Sequence, residues 1–364
     1  MKVKLVAIAK DEAAYIAQWV FHHLHFGFDA IEIHVNRTED NSTVVLEKIV
    51  SQYPDKVSYR NADWVDIAPD CVSRVMQYAV YAEAYQRTKS EGEFTHICFL
   101  DIDEFWTPRD FCSSVKSCLE SLDKNVSSVS FNWLNVLDEK IAFSSLTNPL
   151  KVQPASTVKS IINLKSDVSR VQLHLSEFLD NDHFYGHIMN DGRRFKHSAK
   201  ERQRLAESEK DVEYPFFILH RMFRTQIEYV SLLYRGNPRG NTPFKMNRPG
   251  YIVTALNQKE VMFNGELYAA YLAKYKLFEE SLGLIEDLKS AQKNIEARFE
   301  DAINRLEEID TADSVHFDGI KRIFSGVEDS RVKSAIQKLS PTVGVKTQER
   351  FLVSRFKKNL KRIF

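Results

Sequence analysis

Ile97-Cys98-Phe99-Leu100-Asp101-Ile102-Asp103-Glu104-Phe105-Trp106 sets an apolar run directly ahead of three carboxylates and closes on two aromatics. A short apolar run that ends in acids reads as a buried central strand whose C-terminal end opens into a cleft, the usual ligand position in open α/β sheets. On a strand, Asp101 and Asp103 point to the same face. Two same-face carboxylates repel each other unless a cation lies between them, and hard oxygen ligands select Mg²⁺ or Mn²⁺. Two readings stand at this point: a metal site bridging a diphosphate, or a solvated turn after a strand.

Outward from this segment, strand and helix alternate. Residues 3–9 read as a strand, Glu12 to Phe26 as a helix with Ile16, Trp19, Val20 and Leu24 on one side, and Ile31 to Val35 as a second strand. A helix over Thr43 to Ser51, a strand over Val57 to Tyr59 and a long helix over Arg74 to Lys89 lead to the acidic strand at 97–100. A helix over Phe111 to Leu122 and a strand over Val126 to Leu134 follow it. This order predicts βαβ units and a mostly parallel central sheet flanked by helices. After Leu134 the pattern loosens among prolines and polar loops. From Lys276 to Ile309, Leu284, Leu288, Ala291, Ile295, Phe299, Ile303 and Leu306 recur at spacings of three and four, which predicts one long amphipathic helix packed on the core or on a second copy of the chain.

With 364 residues and 43% hydrophobic content the chain can bury one large core and carry a smaller element beyond it. Lys+Arg 50 balances Asp+Glu 50, which argues against wholesale nucleic-acid binding. Cys71, Cys98, Cys112 and Cys118 show no Cys-x-x-Cys spacing, the pattern of a reduced cytosolic protein without zinc. The apolar run near the N-terminus is cut off by Lys10 and Asp11, too short for a signal peptide or a membrane span. The tail 350–364 mixes Lys and Arg with Phe, Leu, Val and Ile. It reads as a basic amphipathic helix lying on an anionic membrane surface or packed on the protein.

Four separated blocks agree with one family. They are Ala9-Lys10-Asp11-Glu12 with Ile16, Trp19, His22-His23 and Gly27-Phe28; Asn36-Arg37-Thr38-Glu39-Asp40-Asn41-Ser42; Leu100-Asp101-Ile102-Asp103-Glu104-Phe105; and His220 through Arg224-Thr225, Glu228-Tyr229 and Arg235-Gly236. In this order they resemble the GT-A glycosyltransferases of the family 2 superfamily, in the bacterial branch similar to family 92. The resemblance runs from about residue 3 to 240. Val35 stands where the family has an aspartate, and Leu134-Asn135-Val136 where it has a glycine-rich turn.

The resemblance implies a GT-A domain over 1–265, with a nucleotide-sugar half at 1–125 and an acceptor and metal half at 126–265, followed by a helical extension over 266–364. It implies that Asp101 and Asp103 hold Mn²⁺ or Mg²⁺ against the donor diphosphate, with His220 reaching the same ion and His174 competing for that place. Ala9, Lys10, Glu12, Asn36, Asp63, Arg74, Gln77, Asp101 and Lys159 fall on the donor side. Asp11 suits a helix N-terminus electrostatically, and Trp64 is either a stacking face or a core residue. Inversion at the anomeric carbon needs a carboxylate base, for which Glu177, Asp180 and Asp182 are the candidates and Asp138 and Glu139 the reserve.

The expected activity is transfer of a sugar from a nucleotide-sugar donor to a glycan or lipid-linked acceptor, by a cytoplasmic protein peripheral to the membrane and without nucleic acid as a partner. A metal-dependent nucleotidyltransferase or phosphohydrolase would use the same acids, although no G-x-x-x-x-G-K loop is present. A catalytically idle scaffold built on the helix at 276–309, which would also serve a homo-oligomer, is the third reading.

Overall fold

The computed structural model describes residues 1–73, 75–179, 186–235, 243–309 and 317–339. The first half alternates as the pattern predicts: β1 (Val3–Ala9), α1 (Ala13–His25), β2 (Ala30–Val35), α2 (Ser42–Gln52), β3 (Val57–Asn61), α3 (Asp70–Ser73), α4 (Met76–Glu91) and β4 (His96–Phe99). Next come β5 (Glu104–Pro108), α5 (Val115–Glu120), β6 (Ser128–Leu137), β7 (Leu150–Asn163), β8 (Val168–Arg170), β9 (Glu177–Phe178) and β10 (His187–Met189). The chain continues through α6 (Glu207–Lys210), β11 (Phe216–His220), α7 (Gln226–Tyr234), β12 (Lys259–Val261), α8 (Gly265–Ser281), α9 (Ile285–Glu307), α10 (Phe317–Phe324) and α11 (Ser330–Lys338).

These strands form one curled α/β sheet in the order β3-β2-β1-β4-β7-β6-β11-β5, with β10 on β6 and β12 on β7. The half from β3 to β4 is parallel throughout, because each strand returns through a helix. β7 enters antiparallel to both β4 and β6, so the sheet is mixed beyond that point. The layer of helices at the C-terminal end completes the architecture.

The helix expected over Phe111 to Leu122 covers only Val115–Glu120, and two further differences from the sequence pattern have identifiable reasons. The acidic strand stops at Phe99, and Asp101 and Asp103 lie in a turn closed by the Glu104 amide on the Asp101 carbonyl at 3.0 Å. The strand alternation that put both acids on one face does not apply there. The long helix expected from Lys276 to Ile309 is two helices, because Gly283 adopts φ 59° and turns the chain between α8 and α9. The apolar face of α9 is buried within this chain: Leu288, Ala291 and Ile295 join the main core, and Phe299, Ala302, Ile303 and Leu306 join a second core with α7, α10 and α11.

His22 and His23 are core residues. The ring nitrogens of His22 meet the Tyr271 hydroxyl at 3.1 Å and the Trp106 carbonyl at 2.9 Å, while His23 bridges the Trp19 carbonyl and the Trp106 amide. Burial drives both imidazoles to the neutral form, that of His23 down to about 3. They fasten α1 to β5, the strand that follows the acidic turn.

Candidate functional site

Lys159 is sealed in β7, 1% exposed, at the position paired with Phe131 of β6. Its ammonium lies 3.0 Å from Glu104 Oε2 and 3.3 Å from Asp101 Oδ2. The Glu104 oxygen also accepts from the Asp101 amide at 2.9 Å, so one buried carboxylate fixes both ends of the acidic turn. Burial works against the Lys159 charge, but Asp101 and Glu104 outweigh it and raise its pKa. Burial likewise pushes the Glu104 carboxyl well above its usual range. Lys159 opposes that rise, and the charges of Asp101 and Asp103 add to it. The second oxygen of Asp101 accepts from the Gln77 side chain of α4 at 3.1 Å.

Asp103 faces the other way. Its Oδ2 lies 3.6 Å from His220 Nε2 and 3.8 Å from the Arg248 guanidinium. Burial alone would raise its pKa, but His220, Arg248 and Arg224 together hold it well below the ordinary carboxylate range. His220 Nδ1 is 3.1 Å from the Asn135 side-chain oxygen. With a cation between His220 and Asp103, the imidazole proton would sit on Nδ1 facing Asn135, and Nε2 would be free to ligate. Such an outer partner is what orients an imidazole toward a metal. The Trp133 ring centroid lies 4.0 Å from that of His220. Trp133 sits where the β6–β7 register shifts, opposite a stretch that contains Pro154, and bulges of this kind re-aim a side chain. Its indole N–H is buried without a hydrogen-bond partner among the described residues.

These groups open into a cleft of about 500 Å³ at the ends of β1, β2 and β4. Lys10, Glu12, Asn36, Gln77, Asp101, Asp103, His174 and His220 all line it, as do Trp133, Asp66, Arg235, Lys245 and Arg248. Glu12 is held by Arg235 and lies 3.7 Å from Arg224. The Arg235 guanidinium also donates to the Lys10 carbonyl at 2.8 Å. Asn36 donates to Asp63 and Asp66 at 3.1 and 3.2 Å, closing the loop after β2. Burial and the charges of Arg248 and Arg235 bring the Lys245 pKa down to about 7, against the pull of Asp103 and Glu12.

The remaining candidates fall as follows. Ala9 ends β1 as a buried residue whose carbonyl receives the Asn36 amide at 3.1 Å. His174 points Nδ1 at the Val158 carbonyl at 3.0 Å, and burial together with the Lys159 charge brings its pKa down to about 4. Glu177, on β9, pairs with Arg170 at 3.1 Å and is not among the cleft-lining residues. Asp138 pairs with Lys140 and Lys151, and Glu139 is locked on Arg221 at 2.6 Å. Trp64 is 47% exposed and so is not a core residue. Arg74, Asp180, Asp182 and the tail 350–364 lie outside the described residues.

The sequence pattern did not mark Glu104, Asn135, Trp133, Lys245 and Arg248 as site residues, and Arg235 entered only within a block of the resemblance. Glu104 stood in the acidic stretch itself. Lys245 and Arg248 follow no periodicity and lie among prolines, so nothing in the pattern marks them.

No family model matches the chain, and no curated protein matches it. Among solved structures it is similar to the mannosyltransferase PcManGT from Pyrobaculum calidifontis in complex with GDP-Man and Mn²⁺. That match has 12% identity and a TM-score of 0.26 over 36% of this chain and 35% of that one. It is also similar to S. aureus TarS 1–349, at 11% identity and a TM-score of 0.28 over 45% of this chain and 47% of that one. TarS 1–349 in complex with UDP matches at 10% identity and 0.27 over the same shares. The chain spans less than half the length of these structures. Likeness of that extent identifies no chemistry, which has to come from the cleft's own residues.

The buried brace makes a stability prediction. Lys159→Met leaves Glu104 and Asp101 without their cation and is expected to destabilise the fold by about 3–5 kcal/mol in chemical denaturation. Adding Glu104→Leu should recover much of that loss, since the double variant no longer buries an unpaired acid. Simple additivity of the two losses would show that the pair is not coupled.

Proposed function

We propose that the protein is a metal-dependent, inverting glycosyltransferase that binds a nucleotide-sugar donor in the cleft beside Asp101 and Asp103. The observation that carries the proposal is the convergence of Arg235, Lys245 and Arg248 on the same cleft as these acids, next to an indole N–H with no protein acceptor. Three cations whose mutual repulsion and burial bring a lysine down to about 7 are matched to an anion of more than one charge, such as a diphosphate. The expected position of the nucleoside is among Ala9, Lys10, Glu12, Asn36 and Asp63, where β1 and β2 end.

Asp103 and His220 fit a divalent ion: a carboxylate kept ionised by its surroundings and an imidazole oriented through its far nitrogen. Asp101 would join them only by giving up its contacts to Lys159 and Gln77, and no group of three His, Cys, Asp or Glu side chains suited to a metal occurs among the described residues. Donor oxygens would therefore complete the shell of Mn²⁺ or Mg²⁺. The ion, when bound, would neutralise charge on the departing diphosphate. Arg235, Lys245, Arg248 and the Trp133 N–H would bind phosphate oxygens from the protein side. Lys159 would hold Asp101 in place from behind, and His174 would remain a neutral rim residue. The base that takes the acceptor's proton is proposed to come from Glu177, Asp180 or Asp182, because Leu173 and His174 line the cleft and the chain runs from its rim into that segment. Arg74, next to α4, is proposed on the donor side.

The acceptor is proposed to be a glycan or a lipid-linked glycan at a cytoplasmic membrane face. No helix among the described residues is long and apolar enough to cross a membrane. The composition of 350–364 supports peripheral contact instead. Flotation with phosphatidylserine vesicles should retain the whole chain and lose a variant ending at 349. Equal flotation of both would remove the tail from the proposal.

The donor site is tested by calorimetry with UDP and GDP in Mn²⁺ or in chelator. One of them is expected to bind in metal and at least tenfold more weakly in chelator or in Asp103→Ala. Metal-independent affinity would remove the ion, and no binding by either would remove the donor reading. A pH series separates the lysine's part. Because an anion favours protonated Lys245, whose pKa starts at about 7, affinity should hold below pH 7 and fall by up to about tenfold per pH unit above it. In Lys245→Met that decline should flatten, and an unchanged decline would assign it to another group.

A further inference from the structure

On the other side of α1 from the cleft lies a second cavity, of about 300 Å³, walled by Ala14, Tyr15 and Gln18, by the loop residues 143–145, and by α8 and the first turns of α9. Gln18 is 6% exposed, and its carbonyl accepts from Arg221 at 2.9 Å. That contact leaves the amide end, Nε2, without a hydrogen-bond partner among the described residues. Ser144 repeats the arrangement. Its backbone carbonyl accepts from Arg221 at 2.9 Å, while its buried hydroxyl has no partner among the described residues. Arg221 thus uses the acceptors of both residues and leaves the donor groups of two wall residues without a protein partner among the described residues. A buried amide or hydroxyl without a partner is costly, so two such groups on residues of one wall point to an oxygen-rich occupant.

The charge of the site narrows the occupant further. Arg221 is neutralised by Glu139 at 2.6 Å. At the mouth, Lys276 lies 3.8 Å from Glu280, and the Glu279 carboxylate takes the Tyr275 hydroxyl. The cavity therefore presents no surplus of either sign. The rest of its wall is apolar or aromatic: Phe143, Tyr15, Tyr275, Leu272 and Leu288. Phe143 is held at φ 58°, in the left-handed region that a phenylalanine occupies only where its surroundings over-determine it.

We propose that this cavity binds a neutral polyhydroxylated ring, a saccharide unit, with the Gln18 amide and the Ser144 hydroxyl donating to its oxygens, Glu279 accepting at the mouth, and Phe143 or Tyr275 covering its apolar face. Aromatic faces beside a few directional donors are what recognise a ring that is apolar on one side and hydroxylated around its edge. The site is separate from the donor cleft and does not depend on the donor reading. The two are linked through Tyr15, over whose ring the Arg224 guanidinium lies at 3.3 Å on its way to Glu12, and through Arg221, whose backbone N–H donates to the Asp103 carbonyl at 2.8 Å.

The test is saturation-transfer NMR and calorimetry with free glucose, galactose, mannose and N-acetylglucosamine on four forms of the full chain: wild type, Ser145→Trp, Ser144→Ala and Asp103→Ala. Saturable binding of at least one sugar is expected in the wild type, with full retention in Asp103→Ala and abolition in Ser145→Trp, where the indole fills the cavity. Ser144→Ala removes only a hydroxyl that no protein group uses, so its fold should hold while affinity drops about fivefold to tenfold, one hydrogen bond's share. Should Ser145→Trp misfold by circular dichroism, Ser144→Ala alone decides. No binding of any sugar overturns the proposal. So does binding that is lost in Asp103→Ala and untouched in the two serine variants, which would put the sugar in the cleft.

Discussion

The contact on which the rest of the site depends is the buried ammonium of Lys159 against Glu104 and Asp101. A turn carrying three acids within four residues repels itself. Here a cation supplied from the neighbouring antiparallel strand pins two of the three and leaves Asp103 to be answered by the far side of the cleft. The insertion of β7 between β4 and β6 is what brings that cation in, because a strand running the opposite way delivers Lys159 beneath the C-terminal end of β4. The mixed sheet is thus an electrostatic requirement of the acidic turn as much as a topological choice.

Charge is then handled in two tiers. Buried pairs such as Lys159 with Glu104 and Arg221 with Glu139 are closed and hold the backbone, whereas Arg235, Lys245 and Arg248 are crowded on one rim. A protein whose overall charge is balanced sets two of these cations against acids of the same cleft, Arg235 on Glu12 and Arg248 beside Asp103, and brings Lys245 close to both guanidinium groups. The Lys245 pKa records that crowding, since burial and two neighbouring guanidinium groups push in the same direction.

Much of the first half was legible in the sequence because its signals are local. The apolar runs at 3–9, 31–35 and 97–100 alternate with helical periodicity, and β1, β2 and β4 lie where they predict, in one parallel set. The acids were legible as a pair but not in their geometry, because the strand ends two residues before Asp101 and a turn hydrogen bond replaces the pleat. Periodicity alone could not distinguish one helix from two at 276–309, since the apolar spacing carries across the corner that Gly283 makes. The cationic rim was illegible for a different reason. Lys245 and Arg248 owe their place to the folding of a proline-containing stretch against α7, and nothing in their neighbours' identities encodes that.

The salt bridge network around the N-terminal loop also has a consequence for the order in which the protein becomes competent. Asp11 is met by Arg298 of α9 at 3.5 Å, and Asn41 and Lys48 are tied to Asp287 at 2.9 and 2.5 Å. During synthesis on the ribosome, the loops after β1 and β2 are among the first segments to emerge. They wait for partners more than two hundred residues downstream before these contacts can form. A nascent chain could therefore form the parallel half-sheet early and still hold an unfinished pocket. The C-terminal helices act as the final clamp on these two loops, while every residue lining the cleft precedes those helices in the chain.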